Sequence, residues 1–151
     1  MERDQWYFAY GSNLHRGQLS RRIKLSFDAA DTFQRAYLPN YQLAFNMRGE
    51  DGEFYANIVW PGSGVHGVLY RCDLEAFKKL DAYETGYDRR EVVVTNEQQE
   101  PITAWVYLSR LENIAPGSRP NTTYLQTILK GAREHGLPAE HIQAIELLAW
   151  G

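Results

Sequence analysis

Two stretches of this 151-residue chain carry residue types that can do chemistry. The first is Gly11-Ser12-Asn13-Leu14, which follows the aromatic run Trp6-Tyr7-Phe8-Ala9-Tyr10. A strand that breaks into a glycine, a hydroxyl and an amide just before a helix start gathers backbone N–H groups in one place. Such a turn can hold an anionic or carbonyl oxygen. The same residues equally serve as an ordinary turn or helix cap. The second is Glu84, which closes the helix-like segment from Asp73 to Glu84. At about 100° per residue, Phe77, Leu80 and Glu84 fall on one face, and the apolar part of that face must turn toward the core. A carboxylate aimed inward is raised in pKa by burial, toward the range a general acid/base needs. A carboxylate at a helix end can instead bend out to solvent, and the spacing leaves both readings open. Asp81, at the edge of the stripe, competes as a carboxylate, with capping or pairing to a backbone group, or to Arg89 or Arg90, as its structural role.

Other chemistries find less support. His15, His66, His135 and His141 are scattered, and none pairs at ligand spacing with another His, a Cys or a suitable carboxylate. No zinc site is therefore expected. Neither a Gly-x-Gly-x-x-Gly nor a P-loop pattern occurs. Ser12 as a covalent nucleophile would need a base; His15 is near, but no triad pattern accompanies it. Cys72, between Arg71 and Asp73 with no histidine beside it, reads as a structural thiol.

The elements that must position these residues can be read in order. Residues 6–10 form a strand, and Ser12 or Asn13 can cap a helix over 14–23 with Leu14, Leu19 and Ile23 as its apolar positions. Residues 31–38 are weakly strand-like, 41–47 and 54–60 are strands around the breaker Arg48 to Gly52, and 65–71 is another. Gly67 within that last strand marks a bend or a close backbone approach. Asp73 can cap the helix that runs to Glu84, and Gly86 ends it. Strands follow at 90–95 and 102–108, then a loop over 109–120, a helix from Asn121 to His135 stopped by Gly136, and a last helix over 138–149 with Pro138 in its first turn. Strands and helices do not alternate regularly, which disfavours a parallel doubly wound sheet. The expected fold class is α+β: a small, mostly antiparallel β-barrel with flanking helices.

Composition sets the outer bounds. Hydrophobic residues at 44% and charged residues at 23% describe a chain that folds around a core, and its length suits one domain over residues 1–151. A net charge of −3 offers no electrostatic footprint for nucleic acid; the basic cluster from Arg16 to Lys24 reads as a solvated helix face. No apolar stretch approaches the roughly 18 residues of a membrane span. A lone cysteine fits a reducing compartment, and nothing after Met1 to Gln5 reads as a leader, so a cytoplasmic location is expected.

These stretches also meet a family pattern. Tyr7-Phe8-Ala9-Tyr10-Gly11-Ser12-Asn13-Leu14 resembles the opening motif of the gamma-glutamylcyclotransferase family. Gly67-Val68-Leu69-Tyr70 and Leu80-Asp81-Ala82-Tyr83-Glu84 are similar to its central strand and the end of its catalytic helix. Pro120 to Tyr124 resembles its Pro-Ser-x-x-Tyr segment, and Gly131 to Pro138 its closing Gly-Ala-x-x-x-Gly-Leu-Pro stretch. The chain departs from the pattern at Thr85, where glycine often follows the glutamate, and at Asn121, which replaces serine. The resemblance implies cofactor-independent cyclisation of a small-molecule γ-glutamyl amide to 5-oxoproline and a free amine. It implies Glu84 as the acid/base, Tyr10, Gly11, Ser12, Asn13 and Leu14 as the substrate loop, and Tyr124 as a pocket tyrosine. Alternatives within the fold are a cyclotransferase acting on γ-glutamylamines or on a biosynthetic intermediate. A non-catalytic binding domain is the alternative of another class.

Overall fold

In the computed structural model, residues 5–23, 33–116 and 119–150 are described. The expectations for residues 1–4, for 31–32 at the start of a strand, for Lys24 of the basic cluster and for Gly117 of the loop lie outside them.

Five strands close into a barrel in the order β1-β5-β2-β6-β7. They are β1 Gln5–Ala9, β2 Phe33–Leu38, β5 Val65–Cys72, β6 Tyr87–Asn96 and β7 Pro101–Ser109; β3 Gln42–Arg48 and β4 Phe54–Val59 form a separate two-stranded sheet. The barrel is mostly antiparallel, as expected, but it closes with a parallel pairing of β1 on β7, Trp6 opposite Ala104 and Tyr7 opposite Trp105. That closure is invisible to a local pattern because it joins the two ends of the sheet. The turn of the β3–β4 hairpin brings Gly49, Glu50 and Asp51 to the same cavity as the Gly11–Asn13 loop.

Four α-helices flank the strands among the described residues: α1 Arg16–Ile23, α2 Leu74–Tyr83, α3 Thr122–Glu134 and α4 Ala139–Trp150. Helix α2 starts where its sequence says it should, with the Asp73 carboxylate accepting from the Ala76 N–H at 2.8 Å. Its Phe77 and Leu80 are buried. Asn121 caps α3 by accepting from the N–H groups of Thr123 and Tyr124, so this residue does the work expected of a serine. The chain leaves α2 through Gly86, at φ +90°, where a Cβ would meet Met47 Cε and Asn113 Nδ2. The left-handed position of this turn is therefore residue 86, and Thr85 is not asked to adopt it. Strand β6 then begins at Tyr87, three residues earlier than its β-branched run suggests.

Two glycines mark close approaches behind the Gly11–Leu14 loop. A Cβ on Gly67 would run into the Ala9 carbonyl and lie 2.7 Å from the Phe8 ring, so β5 passes tightly against the end of β1. A Cβ on Gly131 would collide with the backbone of Leu14 and His15. Helix α3 is thereby seated directly on the loop.

Candidate active site

The loop leaves β1 at Tyr10 and tightens into a single 3₁₀ turn, Ser12–Leu14. Its Leu14 N–H donates to the Gly11 carbonyl at 3.0 Å, and the His15 N–H to Ser12 O at 3.0 Å. Tyr70 holds it from behind, its hydroxyl 3.2 Å from the Leu14 carbonyl and 3.0 Å from His135 Nε2. Two expectations change here. Leu14 is fully buried and its N–H is already committed, so it anchors the loop from below and does not face a ligand. Ser12 and Asn13 do not cap α1: His15 Nδ1 does, accepting from the Gln18 N–H at 3.0 Å. Ser12 Oγ accepts instead from Gln18 Nε2 at 2.7 Å, and no Ser12–His15 dyad is formed.

Asn13 is 3% exposed, and its amide is turned by four contacts. Nδ2 donates to the Tyr7 hydroxyl at 2.9 Å and to Glu84 Oε1 at 3.1 Å. Oδ1 accepts from Arg22 Nη1 at 3.1 Å and Gln18 Nε2 at 3.3 Å. Glu84 therefore points inward: its side chain is 16% exposed and lies 3.7 Å from Arg22 Nη1. Burial raises its pKa, against the Arg22 charge and the Asn13 hydrogen bond, which both lower it. The solvent-facing alternative for Glu84 does not describe the fold. Asp81 turns the other way, gripping Arg89 at 2.9 and 3.2 Å and accepting from the Tyr107 hydroxyl at 2.6 Å.

These groups line a cavity of about 460 Å³, inside the roughly 300–1,000 Å³ range of small-molecule sites. Tyr10, Gly11, Ser12, Asn13, Glu84 and Tyr124 all reach it; Leu14 does not. The Tyr10 hydroxyl donates to the Tyr107 carbonyl at 2.6 Å, so Tyr10 offers the cavity a ring and not a proton. The Tyr124 hydroxyl accepts from the Ala56 N–H at 2.9 Å, which leaves its own proton for a ligand. Burial holds both phenols well above the usual range, so both stay protonated.

Several lining residues went unread in the sequence. Tyr7 meets Phe77 edge-on at 6.4 Å, so the helix position below Glu84 touches the residue that shares Asn13 with it. Tyr87 donates to the Ala56 carbonyl at 2.7 Å, and Tyr55 stacks edge-on with Tyr124 and donates to Asp51. Arg22 corrects the solvated-face reading of the basic cluster. Gln18 and Arg22 each precede a buried residue of α1, Leu19 and Ile23, and so border its buried stripe. That flanking position was the available signal.

A buried carboxylate of raised pKa with an amide fixed beside it and phenols lining the same cavity can take up and release a proton. Among the described residues no group of three or more His, Cys, Asp and Glu is placed to hold a metal ion. No helix among them is long and apolar enough to cross a membrane.

Known proteins with this chain pattern settle its kinship. The model of the AIG2-like family matches residues 64–145. The human protein named gamma-glutamylcyclotransferase is 34% identical over 94% of this chain and 77% of its own length. The bovine protein of that name is 33% identical over 89% of this chain and 73% of its own. The chain belongs to the AIG2-like, gamma-glutamylcyclotransferase family. A solved structure named gamma-glutamyl cyclotransferase superposes with a TM-score of 0.82 at 28% identity, covering 95% of this chain and 86% of the other. The family match begins at Gly64 and so takes in Glu84 and Tyr124.

Proposed function

We propose that this chain cyclises a γ-glutamyl amide, releasing 5-oxoproline and a free amine or amino acid, as one domain working in the cytoplasm. The observation that carries the reading is the buried Glu84 carboxylate held by Asn13 at the wall of the cavity. The relatives' shared name supports the reaction class.

The substrate brings its own nucleophile. Its α-amine attacks its γ-carbonyl carbon, forming a ring C–N bond and a tetrahedral adduct. Glu84 accepts the proton that the attacking nitrogen must shed, then returns it to the amide nitrogen as the original C–N bond breaks. No enzyme nucleophile and no water is consumed. Holding the flexible glutamyl chain folded for ring closure supplies much of the acceleration. The N–H groups of Gly11, Ser12 and Asn13 are the candidates to hold the substrate carboxylate or the developing oxyanion, and the Tyr124 proton serves orientation. Burial suits the carboxylate to both halves of this cycle, because a raised pKa makes it a stronger base when ionised and steadies the protonated form that must return the proton.

The test is Glu84→Gln, assayed for 5-oxoproline release against a panel of γ-glutamyl amino acids and γ-glutamylamines. The variant should fold with an unchanged circular dichroism spectrum and lose turnover by about 10²-fold or more. Full activity in the variant would remove Glu84 from the mechanism. Tight binding of a panel compound to the unaltered protein without product would point to a binding domain.

A further inference from the structure

Helix α1 presents a donor pair to the loop that no reading of the reaction requires. Gln18 and Arg22 are one turn apart, and both give hydrogen bonds to Asn13 Oδ1. Guanidinium nitrogens only donate, so Arg22 can face only the oxygen of that amide. With the oxygen taken, the Asn13 Nδ2 must face the other way, toward Tyr7 and Glu84. Arg22 also lies within 3.7 Å of Glu84 Oε1 and has its guanidinium carbon 5.1 Å from the Tyr83 ring centre, which places it against the last turn of α2. We infer that Arg22 is a positioning residue: seated between Asn13 and Glu84, it fixes the amide that holds the carboxylate and places a cation beside it.

The geometry distinguishes this from a surface ion pair. Arg22 is 26% exposed on its side chain and Glu84 16%, so the pair is screened less than one in open solvent. Among the described residues, the other groups coupled to Glu84 carry no charge. They are the phenols of Tyr7 and Tyr10 from β1 and its end, Tyr87 from β6 and Tyr124 from α3. Asn13 contributes a neutral donor from the loop. Arg22 is the cation set against burial at this carboxylate. Without it the carboxylate holds its proton to higher pH, and the base form needed to accept the amine proton is depleted. That catalytic consequence rests on the proposed cyclisation; the effect on Glu84 itself does not.

The experiment reads Glu84 directly. The side-chain carboxyl resonance of Glu84, assigned by its absence in Glu84→Gln, is titrated by carbon-detected NMR in the unaltered protein and in Arg22→Met. The midpoint should rise by about 1 or more on the pH scale in Arg22→Met, the size expected when a neighbouring cation is removed. Arg22→Lys should return it most of the way, since lysine keeps the charge. An unmoved midpoint in folded Arg22→Met overturns the inference, as does an equal rise in Arg22→Lys. Should Arg22→Met not fold, Arg22→Gln removes the same charge and is read the same way. In the cyclisation assay, the acid limb of kcat/KM should move to higher pH with the NMR midpoint. A rise in KM alone with an unmoved limb would instead assign Arg22 to direct substrate contact. If the unaltered protein releases no 5-oxoproline from any panel compound, the proposed function fails while the titration still decides the role of Arg22.

Discussion

Asn13 Nδ2 lies 3.1 Å from Glu84 Oε1, although the two residues are 71 positions apart in the chain. Neither residue is held by the other alone. Asn13 is fixed through Gln18 and Arg22 of α1, and Glu84 by the stripe that buries Phe77 and Leu80. The contact is thus where two independently folded signals, a turn after a strand and the end of an amphipathic helix, are brought to one point by the barrel.

Breaking this contact from the loop side gives the first prediction. In Asn13→Ala the carboxylate loses its hydrogen bond while remaining buried. Its pKa, already raised, rises further, so the acid limb of the rate profile moves to higher pH. A hydrogen bond to a charged group is worth about 1.5–3 kcal/mol, which corresponds to a loss of roughly 10–100-fold in kcat/KM at neutral pH. Steady-state kinetics of 5-oxoproline release between pH 5 and 9 checks both effects.

The seat of α3 on the loop gives the second. Alanine normally stabilises a helix interior by about 1 kcal/mol over glycine. At Gly131 the added Cβ would strike the backbone of Leu14 and His15, which cannot swing aside as a side-chain tip does. Overpacking of this kind costs about 1–3 kcal/mol, so the clash outweighs the propensity gain. Gly131→Ala should melt at lower temperature than the unaltered protein and lose activity as the loop shifts. A higher melting temperature would show that helix and loop are not in contact.

Tyr124→Phe is the third. The change deletes the acceptor of the Ala56 N–H, which lies against the edge of the cavity in β4. A buried donor left unpaired costs about 1–3 kcal/mol. It also removes a phenolic proton that the Ala56 contact leaves for a ligand. Stability, by urea unfolding, and KM should therefore worsen together; a change in KM at constant stability would mean that water had replaced the hydroxyl.

What could be read in the sequence follows a physical line. Asp73 as a cap, the Phe77–Leu80–Glu84 face and the stop at Gly86 depend on contacts within one or two turns, and all are found. The β-barrel was legible as a class because its strands carry β-branched and aromatic runs. Its parallel β1–β7 closure was not, since the pairing of Trp6 with Ala104 leaves no local mark. At the site, the loop and Glu84 stand out because their residue types are costly or unusual where they sit. Arg22, Tyr7 and Tyr87 do not, because an arginine on a helix flank and tyrosines in strands are ordinary until tertiary packing aims them. Leu14 shows the reverse error: it belongs to a recognisable motif, yet its side chain serves the core.

The last prediction concerns α4. His141 is buried, its Nε2 has no hydrogen-bond partner among the described residues, and its ring meets that of His66 at 5.3 Å. Burial lowers its pKa to about 4, with the neighbouring His66 adding to the effect. His66 is itself lowered by burial, with Glu140 pulling the other way. In the unfolded chain His141 would titrate near its ordinary value of about 6.5. Between these values the unfolded state binds more protons than the folded one, so stability rises with pH across this window. The contribution is fully present above about pH 6.5 and is lost as pH falls toward 4, for a total on the order of 3 kcal/mol. Urea unfolding at pH 7.5, 6, 5 and 4.5 should show this decline, and His141→Phe should flatten part of it, since phenylalanine fills the site without a proton to bind. If the variant declines as steeply as the unaltered protein, the acid sensitivity lies elsewhere and His141 is not its source.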